Sequence, residues 1–331
     1  GRNPEKQPIP EPSAVPQLLW NYMQQFETVK PADSAARFAQ GLYGYSSYDA
    51  VQFFDSIQLA TSGKTNQDQP HPLIPLMRYR LYQYVIAFNH FKDELIICEN
   101  KLAGLESEAG LIESLIRRKD VPVYPFKVQG EETSNMCDAT YRQMVAKGME
   151  SCRRGDVFQI VLSRRFQQGF SGDEFNVYRT LRSVNPSPYL FFFDYGDYKL
   201  MGSSPEAQLL LQNGRAIVHP IAGTFKRTGD PQTDQQETQR LLEDAKENAE
   251  HVMLVDLARN DLSRFCDEVH VSQFRQVHYY SHVIHLVSEV VGSLRKDYNP
   301  FSLLAATFPA GTLSGANSPR VLWRSTRFYR V

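Results

Sequence analysis

The sequence predicts an α/β (α+β) fold whose strands pair mainly antiparallel, on three observations. Aromatic residues are abundant, with 20 Phe and 17 Tyr among 331 residues, and such side chains suit several packed layers containing much sheet. Short apolar runs flank Gly196-Asp197 and Asn213-Gly214, and turn pairs of this kind make neighbouring strands antiparallel. Between these pairs lie stretches whose apolar residues recur at helical spacing.

Residues 1–15 contain four prolines and no apolar periodicity, so they predict an extended lead or the tail of a missing region. Leu18, Leu19, Tyr22, Met23 and Phe26 recur as one helix face. Residues 60–72, with Ser62-Gly63-Lys64 and two prolines, predict an exposed loop. Leu76 to Glu99 is rich in Tyr, Val, Ile and Phe and broken at Asn89-His90-Phe91-Lys92-Asp93, which predicts a hairpin. Residues 105–118 read as helix and 119–135 as extended and polar.

The second half has stronger patterning. A helix is expected over 138–153, a strand from Asp156 to Phe166, and a helix from Asp173 to Val184. Tyr189 to Phe193 and Tyr198 to Met201 form one expected hairpin, Ala207 to Leu211 and Ala216 to Pro220 another. Asp234 to Leu257 is helical with interruptions, and Val269 to Tyr280 is strand. Residues 283–291 fit strand or helix equally by pattern.

Thirty-six Lys and Arg against 37 Asp and Glu leave a formal charge of −1. This excludes a general attraction for nucleic acid or an anionic membrane, while an anionic small substrate can still find a local pocket. There is no apolar run near 20 residues and no signal peptide, so a soluble, cytoplasmic protein is expected. Its abrupt start points to a true N terminus further upstream. Cys98, Cys137, Cys152 and Cys266 are scattered, which fits buried free thiols rather than a zinc cluster or disulfide framework.

The most informative stretch runs from Lys246 to Asp261. Glu247 and Glu250 stand one helical turn apart on one face. Two nearby carboxylates raise a proton affinity or attract a divalent cation, and an oxygen-only set suits magnesium better than zinc. A solvated helix face explains the same spacing. His285, inside an apolar run, is either a structural imidazole bonded to backbone or an acid-base group facing a cleft. Gly223-Thr224 ends a strand and offers amides and a hydroxyl to a carboxylate, or simply leaves the strand. Pro309 to Gly315 is another Gly/Thr/Ser turn of that kind, but it lacks the nucleotide P-loop form, and Ser314 has no base partner.

Six ordered segments together resemble the chorismate-utilising enzymes, most closely the large subunits of anthranilate synthases. They are Asn185-Pro186-Ser187-Pro188-Tyr189, Ser203-Ser204-Pro205-Glu206, Pro220 to Thr224, Lys246 to Asp261, Ser281 to His285, and Pro309 to Ala316. The resemblance implies two packed, mainly antiparallel sheets with surrounding helices, and motifs gathered in one cleft. It also implies a division of the chain: 1–75 a partial N-terminal region and linker, 76–135 a sheet-forming region, 136–316 an incomplete chorismate-binding core, and 317–331 an atypical tail.

The implied chemistry adds ammonia to C2 of chorismate, removes the C4 hydroxyl and eliminates pyruvate to leave anthranilate. By motif position Glu250 resembles a ligand of Mg2+, and Glu247 its neighbour, touching metal through water or moving a proton. His285 resembles an acid near the C4 hydroxyl, and Glu206 another catalytic pocket carboxylate, one that helps position water, substrate or ammonia. Gly223, Thr224, Ala310, Gly311 and Thr312 resemble substrate-pocket positions. Asn185, Pro186, Ser187, Pro188 and Tyr189 resemble a segment that joins a tryptophan feedback site. A separate glutamine amidotransferase subunit supplying ammonia is implied, hence a hetero-oligomer.

Alternatives are an aminodeoxychorismate or isochorismate synthase, or a catalytically incomplete binding or regulatory subunit. Ala222 argues against the first, because those enzymes commonly place there a lysine whose amine attacks C2. Three departures from the family pattern stand out. Phe225 replaces an arginine, with Lys226 and Arg227 following as substitute charges. After Ala316 the expected continuation, with its arginine, Gly-rich loop and second glutamate pair, is replaced by Asn317-Ser318-Pro319-Arg320 and an end at Val331. The N-terminal strands of the family are absent too.

Overall fold

A computed structural model describes residues 7–28, 34–55, 74–118, 124–157 and 159–310. The expected loop at 60–72 and the segment after Ala310 lie outside these described residues.

The N-terminal part carries helices α1 (Val15–Met23) and α2 (Ser34–Ala39) and strands β1 (Leu42–Ser46), β2 (Met77–Leu81), β3 (Tyr84–Asn89) and β4 (Glu94–Glu99). β1 pairs antiparallel with β2, and β3 with β4. The β3–β4 turn forms where expected because the Asn89 side chain accepts from the amides of Phe91 and Lys92, and Asp93 takes a left-handed φ of 55°. Next come α3 (Ala109–Arg117), β5 (Phe126–Ser134), α4 (Asp138–Arg153), β6 (Phe166–Gly172) and α5 (Phe175–Val184), with β5 and β6 antiparallel.

The strand expected from Asp156 to Phe166 is not formed; regular pairing begins only at Phe166. A strand is defined by a ladder of backbone pairs, and no ladder among the described residues takes in residues 159–165, although Arg165 O accepts from Asn135 N at 3.2 Å just before the β5–β6 ladder begins. They lie instead along α4. Ile160 and Leu162 come so close to Gly148 that a Cβ there would stand 3.4 and 3.6 Å from their side chains.

The remaining strands are β7 (Tyr189–Asp194), β8 (Lys199–Ser204), β9 (Leu210–Gln212), β10 (Arg215–Val218), β11 (Ile221–Lys226), β12 (Cys266–Tyr279) and β13 (Val283–Leu294). The helices are α6 (Pro231–Glu243), α7 (Ala245–Ser263) and α8 (Pro300–Thr307). Both predicted hairpins are present. β9 turns into β10 through Asn213 and Gly214, with φ of 53° and 77°, the doubly left-handed geometry that Asn-Gly favours. Asp194 accepts from Gly196 N to close the β7–β8 turn.

The largest sheet runs β11-β13-β10-β9, with β12 also on β13. This resolves the ambiguity over 283–291. β13 has ladder partners on both edges, and Ile284 through Ser288 are all buried. Such a strand reads as a continuous apolar run rather than an alternation. α7 packs Val255, Ala258 and Leu262 against Ala216, Cys266 and Val290, and Leu303 of α8 closes the cluster. Each fully buried aliphatic side chain there contributes roughly 1.5–3 kcal/mol. Leu241, Ile284 and Leu286 form a second cluster at the other end.

The helical span read from Asp234 to Leu257 is two helices. Asp244, at φ −67° and ψ 111°, leaves helical geometry, ends α6 and caps α7 by accepting from Glu247 N at 2.9 Å. No described helix is long and apolar enough to cross a membrane. None of the four cysteines is in a disulfide; Cys98 and Cys266 are buried, whereas Cys137 is exposed and Cys152 intermediate, so burial holds for only two of them.

Candidate active site

The site is built where β11 meets β13 and α7. The β11–β13 register shifts between Ala222 and Thr224, and the bulged residue is Gly223, at φ +69°. A Cβ on Gly223 would stand 2.6 Å from Leu241 Cδ1 and 3.6 Å from Glu247 Oε2. Glycine thus permits both the left-handed backbone and the close approach of Leu241 on α6, with Glu247 of α7 alongside. The bulge also turns the Gly223 carbonyl inward, where it accepts from His285 Nδ1 at 2.8 Å, and Thr224 Oγ1 lies 3.3 Å from the same nitrogen. Gly223, Thr224, Glu247 and His285 are therefore brought together as expected from their motifs.

His285 is 8% exposed. Since its Nδ1 faces a carbonyl, that nitrogen carries a hydrogen, and Nε2 is the one left for proton transfer. Glu247 keeps 18% of its side-chain exposure, with Lys246 Nζ 3.4 Å from Oε1. Glu250 follows one turn later on α7 and is half-buried. No group of three or more His, Cys, Asp or Glu that could hold a metal occurs among the described residues. Two carboxylates are nonetheless a fitting donor set for Mg2+, which commonly takes one or two and completes its octahedron with water and substrate oxygens.

Glu206 follows β8. Ser204 Oγ accepts from Glu206 N and donates to Glu206 O, which fixes the backbone of the turn. Its side chain keeps solvent access on one side, yet surrounding protein pushes the carboxyl above the usual range, and His219 partly offsets this. A carboxyl that holds its proton longer is suited to donate one. Ser203 Oγ donates to Asn185 O at 2.7 Å, and Tyr189 pairs with Ser204, so the segment Asn185 to Tyr189 runs directly beside the Glu206 turn. Ala310 is half-buried at the end of the described chain; Gly311 and Thr312 lie outside the described residues.

Tyr280 escaped the sequence reading. It opens the three-residue connection from β12 to β13, and its ring meets His285 edge-on, centroids 5.4 Å apart at 67°. Burial, then Tyr189 and Glu206, raise its phenol above the ordinary range. The only sequence signal was an aromatic residue directly before the Ser281 to His285 motif. Arg227 corrects a second expectation. It does not stand free as a substitute charge: Nη1 donates to Tyr280 O at 2.8 Å and Nε lies 3.4 Å from Asp234 Oδ2. The side chain of Phe225 packs in the apolar cluster with Leu241, under the Arg240 guanidinium at 5.8 Å.

Residues 3–321 match the model of the chorismate binding enzyme family. The chain belongs to that family. Within it, the chain is 37% identical over 305 residues to anthranilate synthase component 1 of Aquifex aeolicus, covering 86% of this chain and 60% of the relative. It is 37% identical over 296 residues to that of Saccharolobus solfataricus, covering 89% and 65%. The crystal structure of anthranilate synthase component I from Streptococcus pneumoniae superposes with a TM-score of 0.76 at 30% identity, covering 93% of this chain and 69% of that one. A putative isochorismate synthase from Bacillus anthracis shares the fold, with a TM-score of 0.61 at 20% identity. The chain spans 60% and 65% of the length of the two curated relatives above.

Proposed function

We propose that this chain is the greater part of a magnesium-dependent anthranilate synthase component 1, a lyase that converts chorismate and ammonia to anthranilate and pyruvate for tryptophan biosynthesis. The observation that carries the reading is the bulge at Gly223, which draws Glu247 of α7 and His285 of β13 to one point on β11. The likeness to enzymes of that name over most of the chain supports it.

In this reading Gly223 and Thr224 supply backbone and hydroxyl contacts to chorismate, together with Ala310, Gly311 and Thr312. His285, its Nδ1–H committed to the Gly223 carbonyl, gives a proton from Nε2 to the departing C4 hydroxyl, since hydroxide is a poor leaving group. Glu206, with its raised proton affinity, stands ready as a second acid. Glu250 and Glu247 would hold Mg2+, which when bound supplies positive charge against a substrate carboxylate. Ala222 is buried on β11 beside Gly223 and offers no amine, so the nitrogen comes from free ammonia. A glutamine amidotransferase partner supplies that ammonia in a hetero-oligomer. The segment Asn185 to Tyr189 is assigned to tryptophan feedback, and four cysteines without a disulfide fit a reducing cytoplasm.

The test is an assay of the full-length protein with chorismate, magnesium and an ammonium salt. Fluorescent anthranilate is expected, with its mass confirmed. A folded protein that binds chorismate but yields isochorismate, aminodeoxychorismate or nothing refutes the assignment.

A further inference from the structure

Both polar contacts of the His285 imidazole fall on one nitrogen. Nδ1 donates to the Gly223 carbonyl at 2.8 Å, and Thr224 Oγ1 lies 3.3 Å from the same atom. A contact on the ring itself adds to these in fixing the direction in which it transfers a proton. The Tyr280 ring is placed to supply it, inclined at 67° to the imidazole with centroids 5.4 Å apart, within the range of favourable edge-to-face pairs.

Tyr280 is itself held through both of its backbone polar groups. Its amide donates to Val283 O at 2.9 Å and closes the β12–β13 connection. Its carbonyl accepts from Arg227 Nη1, while Arg227 N donates to His282 O at 2.9 Å. Arg227 is in turn fixed by Asp234, a buried carboxylate that accepts from Thr228 N, Thr228 Oγ1 and Gly229 N at 2.7, 2.8 and 3.2 Å. The support thus runs from the first turn of α6 through Arg227 to the backbone of Tyr280. This ring belongs to neither apolar core cluster.

We infer that Tyr280, anchored by Arg227 and Asp234, is a positioning residue that fixes the orientation of the His285 imidazole through its aromatic ring. The inference rests on the anthranilate synthase reading for its catalytic consequence, and on geometry alone for the contact. It explains why the arginine at position 227 is spent on a backbone carbonyl, and it assigns the ring, not the hydroxyl, as the working part.

The test compares full-length wild type, Tyr280→Leu and Tyr280→Phe by steady-state kinetics and by NMR of ring-labelled histidine, with His285→Ala assigning the resonance. Y280L is expected to lose about 10- to 100-fold in kcat with KM within about twofold, the signature of a misplaced catalytic group. Y280F is expected to restore the rate. The His285 ring resonance should move in Y280L, where the ring current is lost, and stay near the wild-type position in Y280F. Full turnover in Y280L, or an unmoved resonance, overturns the inference, and so does a Y280F variant as slow as Y280L. Absence of anthranilate from the wild type sinks the functional reading instead, and the resonance comparison then still decides whether the contact exists.

Discussion

At Gly223 two constraints coincide, a φ of +69° and a Cβ position 2.6 Å from Leu241 Cδ1. Gly223→Ala is therefore expected to lose about 1–3 kcal/mol of stability and to displace the Leu241 side chain of α6. A melt that matches wild type would show that the bulge relaxes without cost. For His285 the expectation is kinetic. His285→Ala should lower kcat about 10²- to 10⁴-fold while the protein stays folded. Glu250 separates charge from packing. As a half-buried residue on α7, its change to Gln should raise the magnesium concentration needed for half-maximal rate by about tenfold or more, with the melting temperature little altered. An unchanged magnesium requirement would remove it from the metal site. These residues drew attention through the segments that resemble the family; spacing and chemistry alone left Glu250 equally readable as a solvated helix face and His285 as a structural imidazole. Tyr280 was not legible, since its role depends on a ring contact across a turn that no periodicity encodes.

Elements were legible where local chemistry specifies them. Asp138–Arg153 matches the predicted helix at both ends, and Asn213-Gly214 turns the β9–β10 hairpin as its backbone preferences require. The strand expected from Asp156 begins only at Phe166, where the ladder with β5 starts, because β propensity alone does not set where a ladder begins. The break between α6 and α7 was only partly visible, as an interruption, although its cause is one side chain. Asp244 accepts from Glu247 N and starts α7 one turn before Glu250. Asp244→Ala should cost about 0.5–2 kcal/mol through loss of the cap, and Asp244→Asn should recover most of it. Urea denaturation of the three proteins decides this. A full loss in the Asn variant would mean that charge at the helix N terminus, rather than the hydrogen bond, holds the cap.

For the whole molecule, the antiparallel class and the gathering of β11, β13 and α7 around one site could be anticipated from the order of the motifs, whereas the pairing order β11-β13-β10-β9 could not. Pairing between segments distant in sequence depends on burial, and a net charge of −1 gives no guide to where individual charges are buried. Asp261 shows the consequence. In the last turn of α7, beside buried Leu262, it is pushed up to about 6 by burial, with Arg264 partly opposing. Its unfolded-state value is 3.8, so folding favours the protonated carboxyl. The contribution to stability is complete below pH 3.8 and is lost as pH rises through about 6. At pH 7.5 the folded protein therefore carries an ionised carboxylate in an unfavourable place. Asp261→Asn, which keeps the shape without the charge, should raise the stability at that pH by on the order of 1–3 kcal/mol. The gain should shrink steadily toward pH 4 as the wild-type carboxyl takes up its proton. Chemical denaturation of both proteins at several pH values measures the difference directly. A gain independent of pH would trace to packing, and no gain at pH 7.5 would show that water reaches the carboxylate freely.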